Sequence, residues 1–86
     1  MQNKVNELSN SIENAVEDFL EHFLDYPTDI DLWVNSETME VKVESPSKIT
    51  PDFQRYPIVG CILINDKGLY EPNSEAIASL AEKILS

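Results

Sequence analysis

The chain has 86 residues, 42% of them hydrophobic and 26% charged, with 16 acids against 6 lysines and arginines for a formal charge of −10. These figures describe a globular chain with room for one hydrophobic core, hence a single small domain over residues 1–86. They argue against direct binding of a nucleic-acid backbone, which requires a basic patch, and against an anionic membrane surface.

In chain order, Val5, Leu8, Ile12, Ala15, Val16, Phe19, Leu20 and Phe23 recur at three- and four-residue steps and predict an amphipathic N-terminal helix. Asn3, Asn6, Ser9 and Asn10 are all able to cap its start, and Asn10 with Glu13 has capping-box spacing. Pro27 restricts Tyr26 to extended backbone, so the helix is expected to end near Asp25. One face of this helix is unusual. Glu13, Glu17, Glu21 and Asp25 follow one another at four-residue steps. Each like-charged neighbour costs roughly 0.2–0.5 kcal/mol, and Glu21 and Asp25 also oppose the negative end of the helix dipole. Local rules broken in this way point to a partner surface, to bases such as Lys48 or Arg55 docking onto the acids, or to screening of the row by salt.

The period then changes to two. Ile30, Leu32 and Val34 alternate with Asp29, Asp31 and Trp33, and after a short loop Met39, Val41 and Val43 alternate with Glu40, Lys42 and Glu44. With a loop at 35–38 the hairpin pairs Val34 with Met39, Leu32 with Val41 and Ile30 with Val43. One face is then wholly apolar, and Trp33 opposes Glu40 while Asp31 opposes Lys42 on the other. Trp33 is the chain's sole tryptophan and is expected to point away from the core. It is covered there by the following loop with Phe53 and Tyr56, by a second copy, or by a partner.

Residues 45–57 hold three prolines and read as an irregular connection. The run IVGCILI at 58–64 is continuously apolar, which suits a buried third antiparallel strand or a short helix. Asp66 to Gly68 marks a tight bend. Asn73 or Ser74 then caps a C-terminal helix carrying Ile77, Leu80, Ala81 and Ile84. The fold class expected is α+β: an N-terminal amphipathic helix, a β-hairpin, a third strand or short helix, and a C-terminal helix, with the helices on one face of a small sheet.

The chemistry-bearing residues are few. Cys61 is the one cysteine and His22 the one histidine. A thiol inside an apolar run has a raised pKa and is inert, so nucleophilic catalysis is disfavoured, and one histidine is too few for a typical zinc site. The clusters Asp25, Asp29, Asp31 and Asn65, Asp66, Glu71 lack calcium-loop spacing. With two glycines, Gly60 and Gly68, there is no phosphate-cradling loop. The expected catalytic, metal and cofactor sets are therefore empty.

A lone cysteine, no run of the roughly 20 apolar residues that span a bilayer, and no apolar leader in MQNKVNELSN lead to an expected cytoplasmic location. The function expected is a small acidic, non-enzymatic protein–protein interaction module. A homodimer is an option for so short a chain. The candidate contacts are Trp33, Glu40 and Lys42 on the hairpin and Glu17, Glu21 and Asp25 on the helix. A sharper alternative, resting on size and charge alone, is an inhibitor or immunity-like protein that mimics nucleic-acid charge against a basic partner. A ligand binder or enzyme using Cys61 or His22 is the least favoured class.

Overall fold

In the computed structural model, which describes residues 2–86, helix α1 runs over Gln2–His22 and tightens into a 3-10 turn at Phe23–Asp25. It stops where Pro27 requires, with Tyr26 extended at φ −87° and ψ 145°. Asn10 lies well inside α1, so the Asn10–Glu13 capping box is not used. The Glu13 carboxylate instead accepts the Ser74 hydroxyl at 2.8 Å, linking the two helices. Leu8, Ile12 and Val16 are fully buried on the face that the apolar spacing marks out.

Strands β1 (Asp31–Asn35) and β2 (Glu40–Glu44) form the expected hairpin, and β3 (Gln54–Tyr56) adds to the other side of β1, giving the order β2-β1-β3. The hairpin register differs from the sequence-based one by two residues: Leu32 pairs with Val43, Val34 with Val41, Trp33 with Lys42 and Asp31 with Glu44. The cause is Asn35. Its Oδ1 accepts the backbone N–H groups of Glu37 and Thr38 at 3.0 and 3.2 Å, and its carbonyl accepts that of Met39 at 2.7 Å. Met39 completes the turn in the left-handed region at φ 65°, so the loop is displaced by one residue and β2 begins at Glu40. A shift of two preserves the side-chain alternation, and Leu32 and Val34 therefore remain in the core.

The segment at 45–57 is more ordered than its prolines suggest, since it holds a 3-10 turn at Pro46–Lys48 as well as β3. The apolar run that follows divides into a 3-10 turn at Ile58–Cys61 and strand β4 (Ile62–Ile64). Strand β4 does not join the main sheet. It pairs antiparallel with β5 (Tyr70–Pro72) in a separate two-stranded ribbon, closed by the bend in which Gly68 takes φ 79°. Helix α2 (Ser74–Leu85) starts at Asn73, whose side chain accepts the Ala76 N–H.

The architecture is thus α+β, with α1 and α2 packed on one face of the three-stranded sheet. The core joins Leu8, Ile12 and Val16 to Leu32, Val34, Ile58, Cys61, Ile77 and Ala81. Each fully buried aliphatic side chain there contributes roughly 1.5–3 kcal/mol. The two layers make a flat body with Cα extents of 35 × 30 × 15 Å. Among the described residues no helix is long and apolar enough to cross a membrane.

Candidate functional site

A flat two-layer body leaves much of its apolar surface near an edge, and here part of that surface lines one groove. The large hydrophobic side chains exposed to solvent are Phe23, Leu24, Val59, Ile64, Leu69 and Tyr70. They come from three stretches: the last turn after α1, the 3-10 turn before β4, and the β4–β5 ribbon. Phe23, Val59, Ile64 and Tyr70 line a groove of about 350 Å³, whereas Leu24 and Leu69 do not. Phe19, Leu20 and Phe23 line it from the helix side, and Ile62, Ile64 and Tyr70 from the ribbon, with Val59 between.

Local structure explains why these residues stay uncovered. In the ribbon Ile62 pairs with Pro72 and Ile64 with Tyr70, so all four side chains share one face by the period of two. Ile62 reaches the core, whereas Ile64 lies one step further out and is 61% exposed. The 3-10 turn aims Ile58 and Cys61 inward and Val59 outward, leaving Val59 75% exposed. Aromatic contacts fix the helix side: the Phe19 ring lies 6.1 Å from that of Phe23 and 5.2 Å from that of Tyr26. Phe23 then meets Tyr70 edge-on at 5.9 Å across the groove. The Tyr26 hydroxyl donates to the Asp18 carboxylate at 3.3 Å, and burial together with that charge raises its pKa.

None of the predicted contacts on helix 1 lines this groove. Helical spacing sets Glu17 beside Leu20 but carries Glu21 round to the side of α1 away from Phe19 and Phe23, and Asp25 follows in the 3-10 turn. Glu17, Glu21 and Asp25 are all exposed. The described residues contain two salt bridges, Asp18–His22 and Asp31–Arg55, and neither neutralises this row. Arg55, one of the bases considered for that role, is held by Asp31 at 2.6 Å instead.

The predicted hairpin contacts lie elsewhere, on the outer face of the sheet. Trp33 is absent from the core cluster and half-buried, so it does face away from the helices. Its indole N–H donates to the Glu44 carbonyl at 3.0 Å, and the Arg55 guanidinium sits 5.7 Å from the ring centroid. Lys42, directly opposite Trp33, holds its ammonium 4.9 Å above the ring of buried Phe53. The loop's third strand therefore supplies most of the cover, and Trp33, Lys42 and Arg55 are largely engaged with one another's neighbours. Glu40 is exposed at the end of β2. The hairpin set and the helix set are not brought together.

The remaining reactive groups are placed apart. Cys61 is 2% exposed, and burial pushes its thiol pKa up. His22 lies on the exposed tip of α1, with Nδ1 3.2 Å from the Asp18 carbonyl oxygen and 3.7 Å from its carboxylate. Asp18, Glu21 and His22 each offer a ligand atom within 4.8 Å of the others, an adjacency that helical spacing alone produces on an exposed surface. The Asn65 side chain is used by its own turn: Oδ1 accepts the N–H groups of Lys67 and Leu69, and Nδ2 donates to Glu71.

Sequence reasoning treats residues 58–64 as buried and so misses the groove. The signal is present in Val59, Ile64, Leu69 and Tyr70, four large apolar residues within twelve positions broken by a tight turn, too many for a three-residue ribbon to bury. Compared with protein-family models, curated proteins and solved structures, the chain has no significant match in any of the three.

Proposed function

We propose that the protein is a non-enzymatic protein–protein interaction module whose principal contact surface is the groove between the end of α1 and the β4–β5 ribbon. The observation that carries this reading is that four exposed large hydrophobic side chains, Phe23, Val59, Ile64 and Tyr70, line one concave site. Single exposed apolar residues are ordinary on a soluble domain, whereas a contiguous set around a groove is the composition of a binding patch. Phe23 and Tyr70 supply aromatic anchors of the kind that dominate interface energetics. Glu17, Glu21 and Asp25 on the outer side of helix 1, and Trp33, Glu40 and Lys42 on the far face of the sheet, become secondary contacts. A buried thiol and an exposed histidine at separate places support the absence of nucleophilic catalysis.

A different protein fits better than a second copy. Two copies each of formal charge −10 repel one another, which opposes two-fold pairing through the groove.

Immobilised protein should retain a partner in fixed ratio. Val59→Asp and Ile64→Asp should release it while leaving far-UV circular dichroism unchanged, because both side chains are solvent-exposed in the free protein. Trp33→Ala should keep it. Retention by both aspartate variants together with loss from Trp33→Ala would move the site to the outer sheet face and refute the groove.

A further inference from the structure

We infer that the β1–β2 hairpin is a two-register device, latched by Asn35 and Asp52, in which release of the latch lets β2 slip by two residues along β1. In the register observed, Trp33 lies opposite Lys42 and Asp31 opposite Glu44. In the slipped one Trp33 would lie opposite Glu40 and Asp31 opposite Lys42. Leu32, Val34, Val41 and Val43 keep to the inner face in both, because the shift is even. The difference falls on the outer face of the sheet. There the slip exchanges the cation beside Trp33 for the Glu40 carboxylate and draws Lys42 off the Phe53 ring, so the hairpin contact set has two forms of opposite local charge.

The observed register carries two local penalties that the slipped one lacks. Met39 closes the turn at φ 65°, a backbone conformation that residues with a Cβ disfavour, and after the slip it would be an extended strand residue. Asp31 and Glu44 face one another as like charges, and Arg55 pairs with Asp31 alone. Against these penalties stand the bonds of one side chain. Asn35 is buried, its Oδ1 accepts the Glu37 and Thr38 N–H groups, and its Nδ2 donates to the Asp52 carboxylate at 3.0 Å. Asp52 lies outside the hairpin, just ahead of β3, where the Thr50 hydroxyl donates to its other oxygen. It thus aims the Asn35 amide so that Oδ1 faces the turn, and being exposed it is open to competing donors. The connection at 45–53 reaches about 30 Å when extended, ample for a slip of about 7 Å.

The test is nuclear magnetic resonance on the full chain. Cross-strand backbone contacts should report the observed register in the native protein, and saturation transfer on the β1 and β2 amides should detect the slipped one as a minor state in exchange with it. Asp52→Ala should raise the slipped-to-held ratio about five- to tenfold, and Asp52→Asn, whose amide oxygen still accepts from Asn35, should restore most of the native value. Asn35→Ala removes the turn bonds as well and should raise the ratio about a hundredfold, bringing up Trp33–Glu40 and Asp31–Lys42 contacts directly. Met39→Gly should act the other way and lower the ratio about fivefold, since glycine takes the left-handed turn without a steric cost. A change that merely loosened the hairpin would raise it.

Asp52→Ala with the native ratio, or with no exchange at all, would overturn the latch. Trp33–Lys42 contacts alone in Asn35→Ala would overturn the second register, and so would the loss of both sets of contacts, which would mean that the hairpin has one viable pairing and otherwise unfolds. A higher ratio in Met39→Gly would show loosening in place of slipping. None of these outcomes bears on the groove, which is read separately from partner release by Val59→Asp and Ile64→Asp.

Discussion

Replacing Glu21 with lysine should make the free protein more stable, because the native residue opposes its surroundings on three counts. Glu17 stands one turn before it, Asp25 one turn after, and α1 ends at His22, the very next residue. The substitution removes three like-charged neighbours, Glu17, Asp18 and Asp25, worth roughly 0.2–0.5 kcal/mol each and creates opposite-charged ones of similar size. Glu17 lies on the N-terminal side of the new lysine, which is the favourable orientation for an i, i+4 pair, and the reverse order toward Asp25 gives the smaller share. A cation in the last turn of a helix adds about 0.3–1 kcal/mol. Since every partner is exposed and screened, the realised total should be about 1–2 kcal/mol at low salt. For a domain of this size each 1 kcal/mol moves the melting temperature by ~4–8 °C. Thermal unfolding followed by circular dichroism should therefore show Glu21→Lys melting higher in low salt, with Glu21→Gln gaining about half as much. Both gains should shrink in ~0.5 M salt. A melting temperature that is unchanged or lower at low salt, or a gain indifferent to salt, would refute the assignment of strain to the acid ridge.

Arg55→Ala should red-shift the emission of Trp33 and loosen β3, because the guanidinium both overlies the indole and pairs with Asp31. Arg55→Lys should restore less than half of the effect, since a compact ammonium does not stack as the planar group does; unchanged emission in Arg55→Ala would contradict the cover assigned to β3. Cys61 in the native protein should react slowly with a thiol reagent at neutral pH and quickly once unfolded, and fast native labelling would reopen nucleophilic chemistry. Burial raises its folded pKa above the unfolded value, so its stabilising contribution is complete below the unfolded pKa of about 8.5 and is lost as pH climbs through the folded one. Urea midpoints should accordingly fall less between neutral and alkaline pH in Cys61→Ala than in the native chain.

What the sequence made legible was whatever depended on period and on single backbone constraints. The stripe from Val5 to Leu20, the stop at Pro27, the Asn73 cap and the inward set of Leu32 and Val34 each follow from spacing or from one residue's geometry, whereas Phe23, the last of the expected stripe, falls in the 3-10 turn and stays exposed. The hairpin register needed more, because the choice between adjacent loops turned on Asn35 bonding two N–H groups and on Met39 accepting a left-handed backbone. Strand β3 was hidden for another reason: its three residues carry no alternation of their own, and it exists because the open edge of β1 lies beside it. The acid ridge of helix 1 could be read directly, as could the outward turn of Trp33, but neither lines the groove. The groove could not, since an apolar run records what a segment would bury and not whether the fold has anything to bury it against.

An exposed apolar groove and a charge of −10 on one small chain are best understood together. The molecule exposes 5832 Å² at 9.8 kDa, above the ~5,200 Å² expected of a monomer of that mass. An apolar concavity on a body with that much surface would draw two copies together unless something held them apart, and net charge is the available means. Near the sequence pI of about 4.2 the repulsion disappears while the aliphatic and aromatic lining of the groove is unaltered. Sedimentation velocity should then show the native chain associating at pH ~4.2 and in ~1 M salt at neutral pH, where screening shortens the reach of the charges. Ile64→Asn, which alters the groove with an uncharged side chain, should stay monomeric under both conditions, with circular dichroism at each pH confirming that the fold persists. Association of Ile64→Asn to the same extent as the native chain would place the sticking surface elsewhere. A native chain that remains monomeric in both would mean that the groove holds too little apolar area for self-association, and that charge has nothing to restrain.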